Sequence, residues 1–339
     1  MTNLNAITIS SLELNDGRHI PQLGFGVFQV PADETVGAVD QALQTGYSLI
    51  DTAAMYENET EVGAAIAQSG LDRSEVFVTT KLWNDDQGRD TARRAFERSL
   101  ERLGFDYVDL YLIHWPAPAQ DRFLETWETL SELHAEGRAR SIGVSNFLVD
   151  HLERIIDATG VVPAVNQVEL HPLLQQPELR RFHSRHGIVT EAWSPLAKGG
   201  RLLEDPVITE IADAAGRSPA QVVLRWHTRL GNVAIPKSVT PSRIEENLRV
   251  FDFELDPEQM AAIEALDRGE RTGPDGSRKL EGLQPSAPLV SRVVPSARTT
   301  SRREHRRMVH WPTSRPTSRA PCGRSRWRWA TASRRATRS

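Results

Sequence analysis

The sequence predicts an α/β chain folded as a closed (β/α)8 barrel, with an N-terminal β-hairpin and an irregular C-terminal tail. Three observations predict it. Between residue 20 and about residue 250, short β-branched apolar runs alternate with amphipathic stretches of helical period. The runs number eight, and a sheet buried on both faces reads as continuous apolar strands of this kind. The Gly-rich turn expected after the first strand of an open dinucleotide-binding sheet is incomplete, because LGFGVFQ supplies G-x-G and then breaks the pattern.

In chain order, ISSLELNDGRHIPQLG reads as a hairpin turning at Asp16-Gly17. The strands follow at 23–27, 47–51, 76–81, 107–113, 139–145, 163–169, 188–194 and 232–238. Segments 88–104 and 122–137 carry apolar residues three and four apart, and each closes on a glycine, a common helix stop. Segment 256–267 is an additional helix, with Asp256 as N-cap and Pro257 in the first turn. The pair His183 and His186 in ELRRFHSRHG reads as a solvated helix face, and His171-Pro172 as a structural turn.

Composition bounds the function. The chain has 339 residues, 39% apolar and 25% charged, in the soluble globular range. No apolar run approaches a membrane span, and MTNLNAITIS lacks the basic and apolar segments of a secretory signal, so a cytoplasmic protein is expected. Cys322 is the only cysteine, which excludes an internal disulfide and a Cys-based zinc site; no metal is expected.

The net charge of −4 conceals two unlike parts. Residues 281–339 hold fourteen arginines, no lysine and two acids, a net of +12, whereas residues 1–280 carry 27 basic and 43 acidic side chains. The division is therefore a barrel over 1–278 and an Arg/Ser/Pro-rich tail over 279–339, where periodicity vanishes and disorder is expected. The tail reads as out-of-frame translation of GC-rich DNA, which the coding DNA decides. A basic extension that binds nucleic acid is the competing reading. The acidic body suggests no nucleic-acid partner.

Four polar residues stand at or just past strand ends: Asp51 and Tyr56 in DTAAMY, Lys81 in VFVTTK and His114 in YLIHW. Parallel barrel strands present their C-terminal ends on one face, where barrel enzymes do their chemistry. A carboxylate, a phenol, an ammonium and an imidazole gathered there suit the protonation of a carbonyl oxygen. A free phenol titrates near ~10, so an adjacent ammonium such as Lys81 would be needed to favour its ionised form, with Asp51 pairing that lysine.

The segments DTAAMYENETEVGAAI, VFVTTKLW, DLYLIHWP, IGVSNF, NQVELHP, AWSPLAKG and IPKSVTPSRIEEN together resemble the aldo-keto reductase family, most of all its bacterial members of the 2,5-diketo-D-gluconate reductase type. The resemblance runs from about residue 12 to 275. It implies a metal-free (β/α)8 barrel reducing aldehydes and ketones with NADPH, acting on a small carbonyl substrate, and a monomer. By the same resemblance Tyr56 is the proton donor, assisted by Lys81 and Asp51, and His114 orients the carbonyl. Trp193 stacks on the nicotinamide, and Ser145, Asn146 and Gln167 hold its carboxamide. Ser194, Pro195 and Leu196 continue the cofactor site, and Lys237, Ser238, Arg243, Glu246 and Asn247 receive the adenosine end. A helix start bearing Lys and Arg is in any case suited to phosphate. Phe28, Trp83 and Trp115 follow strands one, three and four and, with His114, would ring the substrate opening. Family members close the barrel mouth with a C-terminal loop; ALDRGERTGPD fits its approach and the likeness then stops. A nicotinamide-binding regulatory module of weak catalytic power is the alternative function.

Overall fold

Strands rich in Val, Ile and Leu at every position must bury both faces, one toward a barrel interior and one toward surrounding helices. In the computed structural model, which describes residues 9–274 and 276, eight such segments form a single parallel sheet in chain order. A hairpin of β1 (Ser11–Glu13) and β2 (His19–Pro21) precedes them. The barrel strands are β3 (Phe25–Gly26), β4 (Leu49–Asp51), β5 (Phe77–Leu82), β6 (Val108–Ile113), β7 (Ala139–Ser145), β8 (Val165–Glu169), β9 (Val189–Trp193) and β10 (Val233–Ala234). The ring closes between its first and last members. Leu23 bridges Ala234, the Gly24 N–H donates to Ala234 O (2.9 Å), and the Ala234 N–H donates to Gln22 O (3.1 Å).

Each expected strand is present; most are trimmed at their ends, 139–145 is unchanged, and the strand expected at 76–81 runs on to Leu82. The hairpin turns through a three-residue loop: the Leu14 N–H donates to Arg18 O (2.7 Å), and Gly17 takes φ +79°. A left-handed glycine ending a three-residue turn matches the twist of the flanking strands. The hairpin lies across the N-terminal ends of the barrel strands, where Asn15 Nδ2 donates to Pro163 O (3.0 Å) and Arg18 Nε to Arg140 O (2.9 Å). Leu14 and Ile20 of the hairpin segment join Leu49, Leu110, Leu112, Val165 and Val233 in an interior apolar cluster. That end is plugged, so the opposite rim is left for ligands.

The helices are α1 (Ala32–Thr45), α2 (Glu59–Gln68), α3 (Arg89–Leu103), α4 (Phe123–Ala135), α5 (Val149–Thr159), α6 (Pro177–His186), α7 (Pro206–Ala215), α8 (Pro219–Arg229), α9 (Pro241–Leu248) and α10 (Pro257–Glu264). Segments 88–104 and 122–137 become α3 and α4, and the Asp256 cap is realised: its Oδ1 accepts the Gln259 N–H (2.8 Å), and the Gln259 side chain accepts the Asp256 N–H (3.0 Å). β9 differs from a one-strand, one-helix rhythm, being followed by both α7 and α8. Among the described residues no helix is long and apolar enough to cross a membrane. The tail at 279–339 lies outside the described residues.

One expectation is overturned. His183 is not on a solvated face: it is buried between α6 and the sheet, with its ring nitrogens 2.9 Å from Asn166 Nδ2 and 2.9 Å from Thr190 Oγ1. Burial pushes its pKa down to about 3, so it is neutral. His186 remains exposed, as expected.

Close helix packing depends on Gly63 in α2, where a Cβ atom would fall 2.0 Å from Leu103 O at the end of α3. Gly63→Ala must push the helices apart and is expected to cost about 1–3 kcal/mol, read as a lower urea midpoint. An unchanged midpoint would show that this approach carries no strain.

Candidate active site

Because the strands are parallel and in register, residues ending neighbouring strands meet on one rim. Asp51 is the last residue of β4, Lys81 lies near the end of β5, and His114 follows β6. Tyr56 is carried inward by a short 3-10 turn, Ala54–Tyr56, beyond β4. The four expected residues are thus brought together.

Lys81 is fully buried, and an ammonium has three protons to place. Its Nζ donates to Asp51 Oδ1 (2.6 Å), Thr52 O (2.9 Å) and Tyr56 OH (3.4 Å). The second Asp51 oxygen accepts Gln167 Nε2 at 2.8 Å. A buried ion pair persists only where its hydrogen-bonding groups are satisfied in this way. Burial works to strip the Lys81 proton, but the Asp51 charge, aided by Tyr56, outweighs it and raises the lysine's pKa.

The acidity of Tyr56 departs from the expectation. Lys81 does pull its pKa down, yet burial acts more strongly and the phenol is pushed up to about 12. The ring is half-buried at the mouth rather than enclosed, so water tempers this rise. Tyr56 therefore keeps its proton at neutral pH, with an ammonium beside it to receive any phenolate that forms. His114 is buried, its Nδ1 has no hydrogen-bond partner among the described residues, and burial with the Lys81 charge holds its pKa well below the usual value. It is neutral.

Aromatic side chains flank these groups. Phe28, 45% exposed, stands with its ring centroid 5.0 Å from that of Tyr56. The Trp83 ring lies 5.2 Å from His114, and His114 lies 5.7 Å from Tyr56. Trp115 is buried, with its carbonyl accepting from Gln87 Nε2 (2.7 Å), so Phe28 and Trp83 supply the accessible aromatic surface.

A second polar group continues around the rim. Trp193, half-buried at the end of β9, donates from Nε1 to Asn146 Oδ1 (2.9 Å). Asn146 Nδ2 donates to Ser145 Oγ (3.0 Å) and His114 O (3.0 Å), and Ser145 Oγ donates to Gln167 O (2.8 Å). Asn146 and Ser194 adopt left-handed backbone, φ +64° and +47°, which costs energy away from glycine and is common at functional sites. Pro195 and Leu196 follow, buried and half-buried.

Past β10, Lys237 and Arg243 are exposed, and among the described residues neither forms an ion pair. They stand before and within the first turn of α9. Ser238 Oγ accepts the Thr240 N–H (3.1 Å), which shapes the entry to α9. Asn247 is buried on that helix and Glu246 half-buried.

Residues that sequence reading did not single out complete the rim. Glu169, at the end of β8, is buried and accepts the Thr272 N–H (2.5 Å), Thr272 Oγ1 (2.7 Å) and the Gly273 N–H (3.2 Å). A Cβ on Gly273 would lie 2.6 Å from Trp193 Cη2. The chain after α10 thus crosses the mouth beside Trp193. Glu191, in the middle of β9, is buried within the barrel. Only the acids in NQVELHP and TEAWS marked these positions, and a strand-borne acid carries no sign of its partners.

Comparison with known proteins identifies the family. Residues 22–268 match the Aldo/keto reductase family. An aldo-keto reductase of Mycolicibacterium smegmatis is 58% identical over 264 residues, covering 78% of this chain and 96% of the relative. The methylglyoxal reductase DkgA of Escherichia coli is 52% identical over 265 residues, covering 78% and 96%. The crystal structure of a mutant of Gox0644 in complex with NADPH superposes with a TM-score of 0.77 at 52% identity, covering 79% of this chain and 98% of that one. On the family match and these identities together, the chain belongs to the aldo/keto reductase family.

Proposed function

We propose that this chain reduces small aldehydes and α-dicarbonyl or keto-sugar substrates to alcohols with NADPH, with Tyr56 as proton donor. The observation that carries it is the Lys81 ammonium, sealed against Asp51 and directed at the Tyr56 hydroxyl. When bound, NADPH supplies the hydride. Hydride addition to the carbonyl carbon moves the C=O π pair onto oxygen, and the Tyr56 O–H gives that oxygen its proton. Lys81 stabilises the resulting phenolate by Coulomb attraction, and Asp51 fixes the lysine in place. Neutral His114 offers a hydrogen bond to the carbonyl oxygen and orients it. Phe28 and Trp83 hold a small, partly apolar substrate and exclude water.

The residues present fit the cofactor. Half-buried Trp193 offers an aromatic face for the nicotinamide, and Ser145, Asn146 and Gln167 offer amide and hydroxyl groups to its carboxamide. Ser194, Pro195 and Leu196 line the path outward. Lys237 and Arg243, free of ion pairs among the described residues and set at the N-terminus of α9, suit a phosphate monoester such as the adenosine 2′-phosphate. Ser238, Glu246 and Asn247 surround that end. The catalytic unit is assigned to residues 1–278.

The test is NADPH oxidation against methylglyoxal, other α-dicarbonyls, simple aldehydes and keto-sugars. Turnover is expected. NADPH binding with no turnover on any of them would instead favour a nicotinamide-binding module. For the adenosine end, Lys237→Met with Arg243→Met should raise the KM for NADPH by about 100-fold or more and leave that for NADH nearly unchanged, because each of the two charge-assisted phosphate contacts is worth roughly 1.5–3 kcal/mol. Equal effects on both cofactors would place the phosphate elsewhere.

A further inference from the structure

Glu191 has no part in the mechanism above, yet it sits behind it. The residue is fully buried, and its neighbours in register are Gln167 on β8 and Val233 on β10. Gln167 Nε2 donates to Asp51 at 2.8 Å, and among the described residues neither Glu191 oxygen has a partner within hydrogen-bond distance. The charged and titratable groups facing it are Asp51 from β4, Lys81 from β5 and, beyond them, Tyr56. From β8 comes only neutral Gln167, and from β10 only apolar Val233.

Two carboxyl groups therefore lie within electrostatic reach of one ammonium, which is paired with Asp51. Asp51 holds the direct contact at 2.6 Å and a hydrogen bond from Gln167 at 2.8 Å, whereas Glu191 has no partner at such distances among the described residues and feels the Gln167 amide only more weakly. Like charges confined in an apolar interior cannot both ionise cheaply, so the proton stays on the group with fewer partners.

We propose that Glu191 is a positioning residue for carbonyl reduction, a neutral carboxylic acid at pH 7 whose ionisation on the alkaline side makes Tyr56 a weaker acid. Burial first, and the Asp51 charge second, push its carboxyl up to about 8, with the nearby Gln167 amide and then Lys81 offsetting part of the rise. Below that pH the cluster holds one anion and one cation, and Lys81 is free to stabilise a Tyr56 phenolate. Above it a second anion competes for the same ammonium. The phenolate is then disfavoured, and Glu191 adds to the forces raising the Tyr56 pKa. Proton donation slows as pH rises.

The inference rests on Tyr56 as the proton donor, and the experiment separates the two. The rate kcat/KM for NADPH-dependent reduction of methylglyoxal is measured from about pH 6 to about pH 10, each enzyme normalised to its own rate at pH 7. Wild type is expected to fall above about pH 8, and Glu191→Gln, which cannot ionise, to hold its rate about one pH unit further. Superposed profiles overturn the proposal and leave Tyr56 untouched; retained turnover in Tyr56→Phe overturns the donor assignment instead. The wild-type enzyme supplies a second measurement should the variant fail to fold. Surface carboxylates are ionised at neutral pH, so the infrared difference between about pH 7 and about pH 9 should show loss of a protonated carboxylic acid C=O band. A wild-type spectrum without that loss also overturns the proposal.

Discussion

Tyr56→Phe is expected to lower kcat for carbonyl reduction by about 10²–10⁴-fold while the dissociation constant for NADPH changes little. The reason lies in what else faces the mouth. Hydride addition leaves negative charge on the carbonyl oxygen, and two groups stand near enough to answer it, Tyr56 and His114. His114 is held neutral by burial and by Lys81, and a neutral imidazole could give up a proton only by becoming an anion. Tyr56 can give up its proton because Lys81 Nζ, 3.4 Å from the hydroxyl, compensates the phenolate. Phenylalanine keeps the ring against Phe28 and removes only the oxygen, so packing survives. Steady-state turnover beside a fluorescence titration with NADPH checks both halves. A variant keeping more than about a tenth of the wild-type rate would remove Tyr56 from the role, since general acids contribute well beyond that factor.

The second large effect falls on stability as well as rate. Lys81→Met leaves the Asp51 carboxylate 2% exposed with Gln167 as its remaining side-chain donor. Removing one member of a buried ion pair costs about 3–5 kcal/mol, because the other is left charged and uncompensated. The urea midpoint should fall accordingly, and turnover should fall with it as the phenolate loses its counter-charge. The double variant Asp51→Asn with Lys81→Met removes both charges and should recover a large part of the stability with none of the activity. Stability that falls by the sum of the two single losses would mean that the pair acts as two independent residues, contrary to the 2.6 Å contact.

These expectations differ in how much of each was legible beforehand. Asp51, Lys81 and His114 could be read because each interrupts an apolar β-branched run near its end, and a parallel barrel places all such ends on one rim. Tyr56 could be read from its distance beyond β4, although the 3-10 turn that aims it could not. The acidity of Tyr56 was legible only in part, for a definite reason. Sequence shows that an ammonium is adjacent, which lowers a phenol's pKa, but it does not show how much surface is lost, and the loss of surface prevails.

His183 and Glu191 mark the same boundary. Each lies in a segment whose pattern is amphipathic or strand-like, where a polar side chain is ordinarily read as solvated. In a barrel wrapped by helices both faces of a strand are buried, so alternation does not place Glu191, while His183 turns from α6 toward Asn166 and Thr190 of the sheet. The contact of Glu169 with Thr272 and Gly273 was likewise beyond reach, since it joins chain segments more than a hundred residues apart.

By itself the sequence determined the eight strands, their order, the titratable residues at their ends and the basic start of α9, because hydrophobic period and strand-end chemistry are local properties. Tertiary structure alone decided which carboxyl holds the Lys81 ammonium, which is left without a partner, and what crosses the mouth beside Trp193. Those outcomes depend on desolvation and on distances between segments far apart in the chain, and neither is written in any one stretch of it.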